Sequence, residues 1–101
     1  MALWDDVCNE LLADPAVAKG LFFGHRGAKL GRKVFAFEFH DDLVVKLGPE
    51  RAEALRAAGE ATLFDPMGGR PMRAWAQMPH PGSGDPVRAW TALAEEAKGF
   101  V

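Results

Sequence analysis

The hydrophobic positions change their period along the chain, and each change marks a new element. Near the N-terminus the apolar residues recur at the i, i+3, i+4 spacing of one helical face, namely at Leu3, Trp4, Val7, Cys8, Leu11 and Leu12. This spacing predicts a first helix. Asp14 followed by Pro15 is typical of a helix start, and it predicts a short helical turn that runs to Gly20.

From residue 28 the period becomes two, which is the period of a β-strand. One face of this predicted hairpin collects Phe35, Phe37, Phe39, Leu43, Val45 and Leu47. Phe39 and Leu43 share that face only if the loop between them has an odd number of residues. We therefore expect a three-residue turn of His40, Asp41 and Asp42, with Phe37 opposite Val45 and Phe35 opposite Leu47.

A glycine-containing turn at residues 31–32 adds a strand before this hairpin. It is predicted to pair Leu30 with Lys33 and Ala28 with Phe35, which gives a three-stranded meander. The meander's apolar face would supply much of the hydrophobic core.

The second half of the chain predicts a helix, a strand pair and a closing helix. Gly48-Pro49 opens the middle helix and Gly59 ends it, and Asp85-Pro86 caps the last helix. The strands are Thr62–Phe64 and Met72–Met78, and on the later one the residues predicted to share a face are Met72, Ala74, Ala76 and Met78. The fold class is therefore α+β, an antiparallel sheet of about five strands (meander plus hairpin) with N-terminal, middle and C-terminal helices, forming one domain over residues 1–101.

The composition and the single cysteine bear on how the chain folds and in which cellular compartment. With 49% hydrophobic and 26% charged residues the chain is an ordinary globular protein, and folding should need no metal, cofactor or disulfide. Cys8 is the sole cysteine, and its apolar neighbours predict that it packs inertly in a core. There is no apolar run long enough to span a bilayer, and the N-terminus is acidic where a signal peptide would be basic. We expect a cytoplasmic protein with no membrane partner.

The charges are segregated although the net charge is only −2. Residues 1–18 hold four acids and no base, and residues 19–37 hold five bases and no acid. The candidate contacts for phosphates or an acidic partner are Arg26, Lys29, Arg32 and Lys33, with Phe22 and Phe23 available for stacking. The favoured alternative is that the N-terminal acids neutralise this basic segment within the fold.

Catalytic and metal-binding patterns are absent from the sequence. The three histidines, His25, His40 and His80, lie in separate predicted loops without a partner at metal-ligand spacing. Asp41 and Asp42 are residues that the turn itself requires, and Ser83 lies in a glycine-rich loop. We therefore expect neither an enzyme nor a metal site.

Two features remain open between a structural and a functional interpretation. The backbone amides of the loop containing Met67, Gly68, Gly69 and Arg70 could form an anion-binding nest, although two glycines more often serve a tight connection. Trp75 belongs either to the core or to a partner-binding surface, because it alternates with the methionine-alanine face.

The order of motifs resembles the TfoX N-terminal-domain family, named for the Sxy-like competence regulators of bacteria. The motifs are Phe23-Gly24, GRKVFA from Gly31, LVVKL from Leu43, Gly59-Glu60, FDPMGGRPMRAW from Phe64 and a final helix with Trp90. The resemblance covers nearly the whole chain and implies a small α+β fold with flanking helices. It implies no catalytic or cofactor-binding residues. Regulators of the family usually carry a second, C-terminal helical domain, and we expect this chain to be a single-domain member.

The leading hypothesis is a non-enzymatic regulatory or binding module that contacts another protein through its sheet or hairpin surface. One alternative is a nucleic-acid-binding domain that uses the basic hairpin of residues 26–33. Another is a sensor of small anions or metabolites that uses the loop at Gly68–Arg70. An exposed sheet edge also leaves a homodimer open.

Overall fold

In the computed structural model, residues 3–66, 68–82 and 84–101 are described. The elements in chain order are α1 (Leu3–Leu11), β1 (Val17–Phe22), β2 (His25–Leu30), β3 (Lys33–Phe39), β4 (Asp42–Lys46), α2 (Pro49–Ala57), β5 (Thr62–Phe64), β6 (Met72–Met78) and α3 (Pro86–Phe100). The strands form one antiparallel sheet in the order β1-β2-β3-β4-β6-β5. This confirms the α+β fold class, with the helices placed as predicted and the strands β5 and β6 at their predicted bounds.

The described sheet has six strands because β1 occupies a segment for which a helical turn was predicted. That prediction is wrong. The Asp14 carboxylate accepts the Ala16 N–H at 2.9 Å, and the Asp14 carbonyl accepts the Val17 N–H at 3.0 Å, so the chain turns and then extends. All six residues of β1 then pair with β2. The hydrogen bond from Ala16 and the Lys98 ammonium, 2.9 Å away, lower the pKa of Asp14.

The turn between β3 and β4 is shorter than predicted. It contains only His40 and Asp41, both in the left-handed region with φ of 47° and 70°, while Asp42 is already in the strand opposite Phe39. Two successive left-handed residues form the hairpin turn that matches the twist of paired strands. Removing one residue from the loop changes the parity, so Phe37 lies opposite Val44 rather than Val45.

A β-bulge in β3 changes the predicted pairing between β2 and β3. Leu30 pairs with Lys33 as predicted, but Ala28 pairs with Ala36, which leaves Phe35 as the extra residue. The bulge places Phe35 in the core beneath the helices and turns Phe37 to the opposite side of the sheet.

All three helices pack on one face of the sheet. Their main buried contributions are Trp4, Val7, Cys8 and Leu11 from α1, Ala52 and Leu55 from α2, and Trp90, Ala94 and Ala97 from α3. The core position predicted for Cys8 is confirmed, and Trp90 of α3 is buried as well. The predicted caps are confirmed too, since Gly48 precedes α2 and the Asp85 carboxylate accepts the Arg88 N–H at the start of α3.

Candidate functional site

The face of the sheet away from the helices carries its own hydrophobic cluster. Its buried members are Phe37, Val44, Phe64 and Trp75, and half-buried Phe22, Val34, Phe39, Met72 and Ala74 pack around them. We call this set the aromatic cluster. No helix of the described residues contributes to it. Met72 was predicted to share a face with Ala76 and Met78, but a register shift between β5 and β6 places it here instead.

Curling of the sheet is what buries this cluster. In a flat sheet, β1 and β6 would lie four strand spacings apart, about 19 Å. The rings of Phe22 in β1 and Trp75 in β6 are nevertheless only 5.1 Å apart, and both lie near Phe37, at 4.7 and 5.5 Å. The outer strands therefore wrap over the central ones.

Gly27 permits this close wrapping. A Cβ at this position would lie 2.9 Å from the Ala36 carbonyl oxygen and 3.1 Å from the Phe37 Cβ, so no larger residue fits. Its partner on β1 is Gly20, which also has no side chain above the sheet. The Phe22 and Phe37 rings can then stack across β2 at an interplanar angle of 23°.

The curl remains open at one end and leaves a cleft there. This aromatic cleft has a volume of about 250 Å³ and is lined by Phe23, His25, Phe39, Phe64, Pro66, Arg70 and Met72. The walls are almost entirely apolar, and Arg70 and His25 supply the polar atoms. An apolar cavity with a few polar groups at its edge is the usual form of a binding site.

Phe23 is the most unusual residue of the cleft. It begins the two-residue turn between β1 and β2 with a φ of 51°, a conformation that is uncommon for a bulky residue, and its side chain is 72% exposed. Asparagine is the usual residue at this position of such a turn. The chain therefore holds a large apolar ring in solvent on a strained backbone, and such strain is concentrated at functional sites.

Cations surround the aromatic cluster on this face. The Lys29 stem lies over Gly20, and the Lys46 ammonium lies 5.9 Å from the centre of the Trp75 ring. Arg70 stands at the cleft itself. Asp42 also belongs to this face, but its carboxylate accepts a hydrogen bond from the Gln77 amide at 2.7 Å. The Gln77 amide is neutral and leaves the charge on Asp42, so the three cations Lys29, Lys46 and Arg70 face one carboxylate among these side chains.

The structure separates the four basic residues proposed from the sequence. Arg26 faces the helices, where its guanidinium donates to Asp5 at 2.7 Å and to Glu38 at 2.8 Å. These carboxylates, Glu38 foremost, raise the pKa of Arg26. Neutralisation by an N-terminal acid is thus observed for this residue. Lys29 lies on the helix-free face, whereas Arg32 and Lys33 are exposed at the turn between β2 and β3.

The glycine loop before β6 forms a backbone nest, one of the two interpretations that its sequence left open, but the anion in the nest is a side chain of the same loop. The Asp65 carboxylate accepts N–H groups from Gly68 at 2.8 Å, Gly69 at 2.8 Å and Arg70 at 3.2 Å. These backbone donors are already satisfied, so they do not offer a site to a soluble anion. The Arg70 side chain is what the loop contributes to the cleft. Met67 lies outside the described residues, as does Ser83.

The remaining candidates are structural. Trp75 is only 6% exposed and belongs to the aromatic cluster rather than to a partner-facing surface. Burial raises the pKa of the Cys8 thiol, which keeps it protonated and weakly nucleophilic. Among the residues described, no three histidine, cysteine or carboxylate side chains are grouped so as to hold a metal ion.

Sequence patterns did not reveal the aromatic cleft as a site. His25, Phe39, Phe64 and Met72 come from four separate segments, and only the curl of the sheet brings them together. One signal was available: Phe23 directly precedes Gly24, and a phenylalanine at a turn position that favours asparagine is costly unless it serves a purpose.

Comparison with known proteins adds no assignment. No family model, no curated protein and no solved structure matches the chain. Within the described part of the chain, none of the helices has the length and apolar character needed to cross a membrane.

Proposed function

We propose that this protein is a non-enzymatic binding module that holds a segment of a partner protein in the aromatic cleft. The observation that carries the proposal is the exposed, strained Phe23 beside an apolar cleft with Arg70 at its edge. Among the described lining residues the imidazole of His25 has no carboxylate, hydroxyl or thiol beside it to complete a catalytic set. The cleft therefore offers shape, apolar contact and positive charge, which are means of binding rather than of bond cleavage.

The chemistry of the cleft defines the segment that fits it. Aromatic and methionine side chains adapt well to an apolar side chain, as in protein interfaces where such residues are enriched. Arg70 is placed to form a bidentate ion pair with a carboxylate, and Lys29 and Lys46 extend the positive charge along the same face. We therefore infer an acidic partner segment that inserts one large apolar residue.

A protein segment fits these charges better than a nucleic acid does. The net charge is −2, and Arg26 is engaged by two carboxylates on the opposite side of the sheet. A nucleic-acid domain is usually basic overall and presents a continuous basic surface. The nucleic-acid hypothesis is retained as an outcome of the test below.

A regulatory role in the TfoX N-terminal-domain family is part of the same proposal. Its support is the order of motifs in the sequence, together with an α+β fold of one antiparallel sheet and flanking helices. Both are compatible with a small module that acts by binding.

The test uses defined peptides and the amide spectrum of the ¹⁵N-labelled protein. A peptide with one tryptophan between two pairs of glutamates should shift the amide signals of Gly24, His25 and Phe39 in a saturable manner. Replacing its tryptophan by alanine, or its glutamates by lysines, should remove most of the shift. Arg70→Gln should weaken binding of the acidic peptide by about fivefold, the contribution expected of one exposed ion pair.

Arg32→Gln is the matched control, because Arg32 is exposed at a turn and does not line the cleft. It should leave the affinity unchanged. The proposal fails if the lysine peptide binds as well as the acidic one, or if Arg70→Gln and Arg32→Gln behave alike. Tighter binding of a ten-nucleotide thymidine strand, lost as salt is raised, would favour the nucleic-acid alternative instead.

A further inference from the structure

A second cleft lies on the other side of the sheet, between α1 and the hairpin of β1 and β2. It has a volume of about 320 Å³ and is lined by Trp4, Asp5, Cys8, Asn9, Lys19, Gly20, Leu21, Arg26 and Gly27. We call it the helix-side cleft. Its lining differs in character from that of the aromatic cleft, because it includes three charged side chains, those of Asp5, Lys19 and Arg26. It does not depend on the proposed partner site.

The inner wall of the helix-side cleft is apolar. Trp4 and Cys8 are 2% and 4% exposed, and they come from the same face of α1. Opposite them, Leu21 projects from β1 with 71% of its side chain exposed. A flat apolar group inserted here would contact Trp4 and cover Leu21, which removes apolar surface from water.

The polar groups of this cleft carry two cations and one carboxylate. Arg26 pairs with Asp5, in the cleft, and with Glu38, so two carboxylates more than balance its charge and it offers none to a ligand. Lys19 forms no ion pair with any carboxylate of the described residues. Burial raises the pKa of the Cys8 thiol, Lys19 and Arg26 oppose that rise and Asp5 adds to it. All three charged side chains line the cleft together with Cys8.

From this arrangement we propose that the helix-side cleft binds a small amphipathic anion, a compound with a single aromatic ring and one carboxylate. The ring would lie against Trp4 and Leu21, and the carboxylate would pair with Lys19. The volume is at the lower end of small-molecule sites, roughly 300–1,000 Å³, and therefore fits one ring rather than a nucleotide.

Benzoate is the first probe, with benzyl alcohol, benzylamine and acetate as comparisons. Benzoate should raise the melting temperature in a saturable manner and shift the amide signals of Gly20 and Gly27, which both line the cleft. The signals of Gly59 and Gly84 should stay in place. Benzyl alcohol lacks the charge, acetate lacks the ring and benzylamine has the opposite charge, so each should bind at least about fivefold more weakly.

Cys8 provides an independent measure of occupancy because it is the only cysteine in the chain. Benzoate should slow its reaction with methyl methanethiosulfonate under native conditions. Lys19→Gln should weaken benzoate binding about fivefold, whereas the matched Lys33→Gln change, at an exposed turn position that does not line the cleft, should not.

Two results would overturn the proposal. One is that benzoate shifts neither glycine signal and changes neither the melting temperature nor the Cys8 reaction. The other is that benzyl alcohol binds as tightly as benzoate and Lys19→Gln has no effect, since the site would then select apolar compounds rather than anions. Neither result bears on peptide binding at the aromatic cleft, so the two proposals fail separately.

Discussion

The two faces of the sheet are buried by different means. On one face, side chains of α1, α2 and α3 cover the strands. Phe35 of the sheet and Trp90 of α3 are both buried in this layer. On the other face the sheet wraps over its own aromatic residues, and Phe37 is sealed by Phe22, Phe64 and Trp75. A layer of helices closes a face along its length, whereas a curled sheet closes the middle and leaves an end open. The aromatic cleft is that open end.

Strand β3 supplies a phenylalanine to each side, which makes the comparison measurable. Phe35 and Phe37 are two residues apart and both are 0% exposed, yet the bulge at Phe35 directs them to opposite faces. If their substitutions lower the free energy of unfolding by different amounts, the cause is therefore the surroundings of each residue and not its type or degree of burial.

The largest expected effect is that of truncating these two residues. Phe35→Ala should lower the free energy of unfolding by about 3–5 kcal/mol, because helices and sheet enclose it and cannot collapse into the cavity. Phe37→Ala should cost less, about 3 kcal/mol at the lower end of that range, because half-buried Phe22 and Phe39 can move inward. Urea denaturation followed by tryptophan fluorescence measures both values.

Leu21→Ala is the control for that pair, since a mostly exposed side chain should change stability by about 0.5 kcal/mol or less. Equal losses for Phe35→Ala and Phe37→Ala would show that the curled face is as rigidly packed as the helix-covered one. The contrast between the two faces would then be wrong.

The second effect concerns the loop that walls the aromatic cleft. Asp65→Ala removes the acceptor shared by the amides of Gly68, Gly69 and Arg70, and it should lower stability by about 1–2 kcal/mol. The same change should also weaken binding of the acidic peptide, because Arg70 loses its fixed position. Asp65→Asn keeps a neutral acceptor, so about half of the stability loss is expected. No loss with either variant would mean that the loop is held by other contacts.

The sequence predicted most elements because their signals are local. Strands Thr62–Phe64 and Met72–Met78 have their predicted bounds, and the caps at Gly48 and Asp85 follow from residue types that those positions favour. The helical turn predicted from Asp14-Pro15 to Gly20 is wrong because aspartate and proline are equally suited to the non-helical turn that they form here, and β1 begins at Val17.

Register and site could not be predicted in the same way. The parity argument assumed an unbroken strand, and the bulge at Phe35 together with a two-residue turn altered which residues share a face. The cleft depends on curling of the sheet. This curling brings the ring centres of Phe39 and Phe64 to within 5.0 Å of each other, although the two residues come from β3 and β5. No pattern within a short stretch of sequence contains that information.

The smallest effect is the most informative about function. Phe23→Asn places the preferred residue at the first position of its turn, and it should stabilise the protein by about 0.5–1 kcal/mol while abolishing the peptide's effect on the amides of His25 and Phe39. His40→Asn is the matched control, because His40 has the corresponding position in the two-residue turn between β3 and β4, with a φ of 47°, and does not line the cleft. It should match or exceed wild-type stability and bind the peptide normally. If Phe23→Asn destabilises the protein, Phe23 is a packing residue of the aromatic cluster, and the strained turn is not evidence of a binding role.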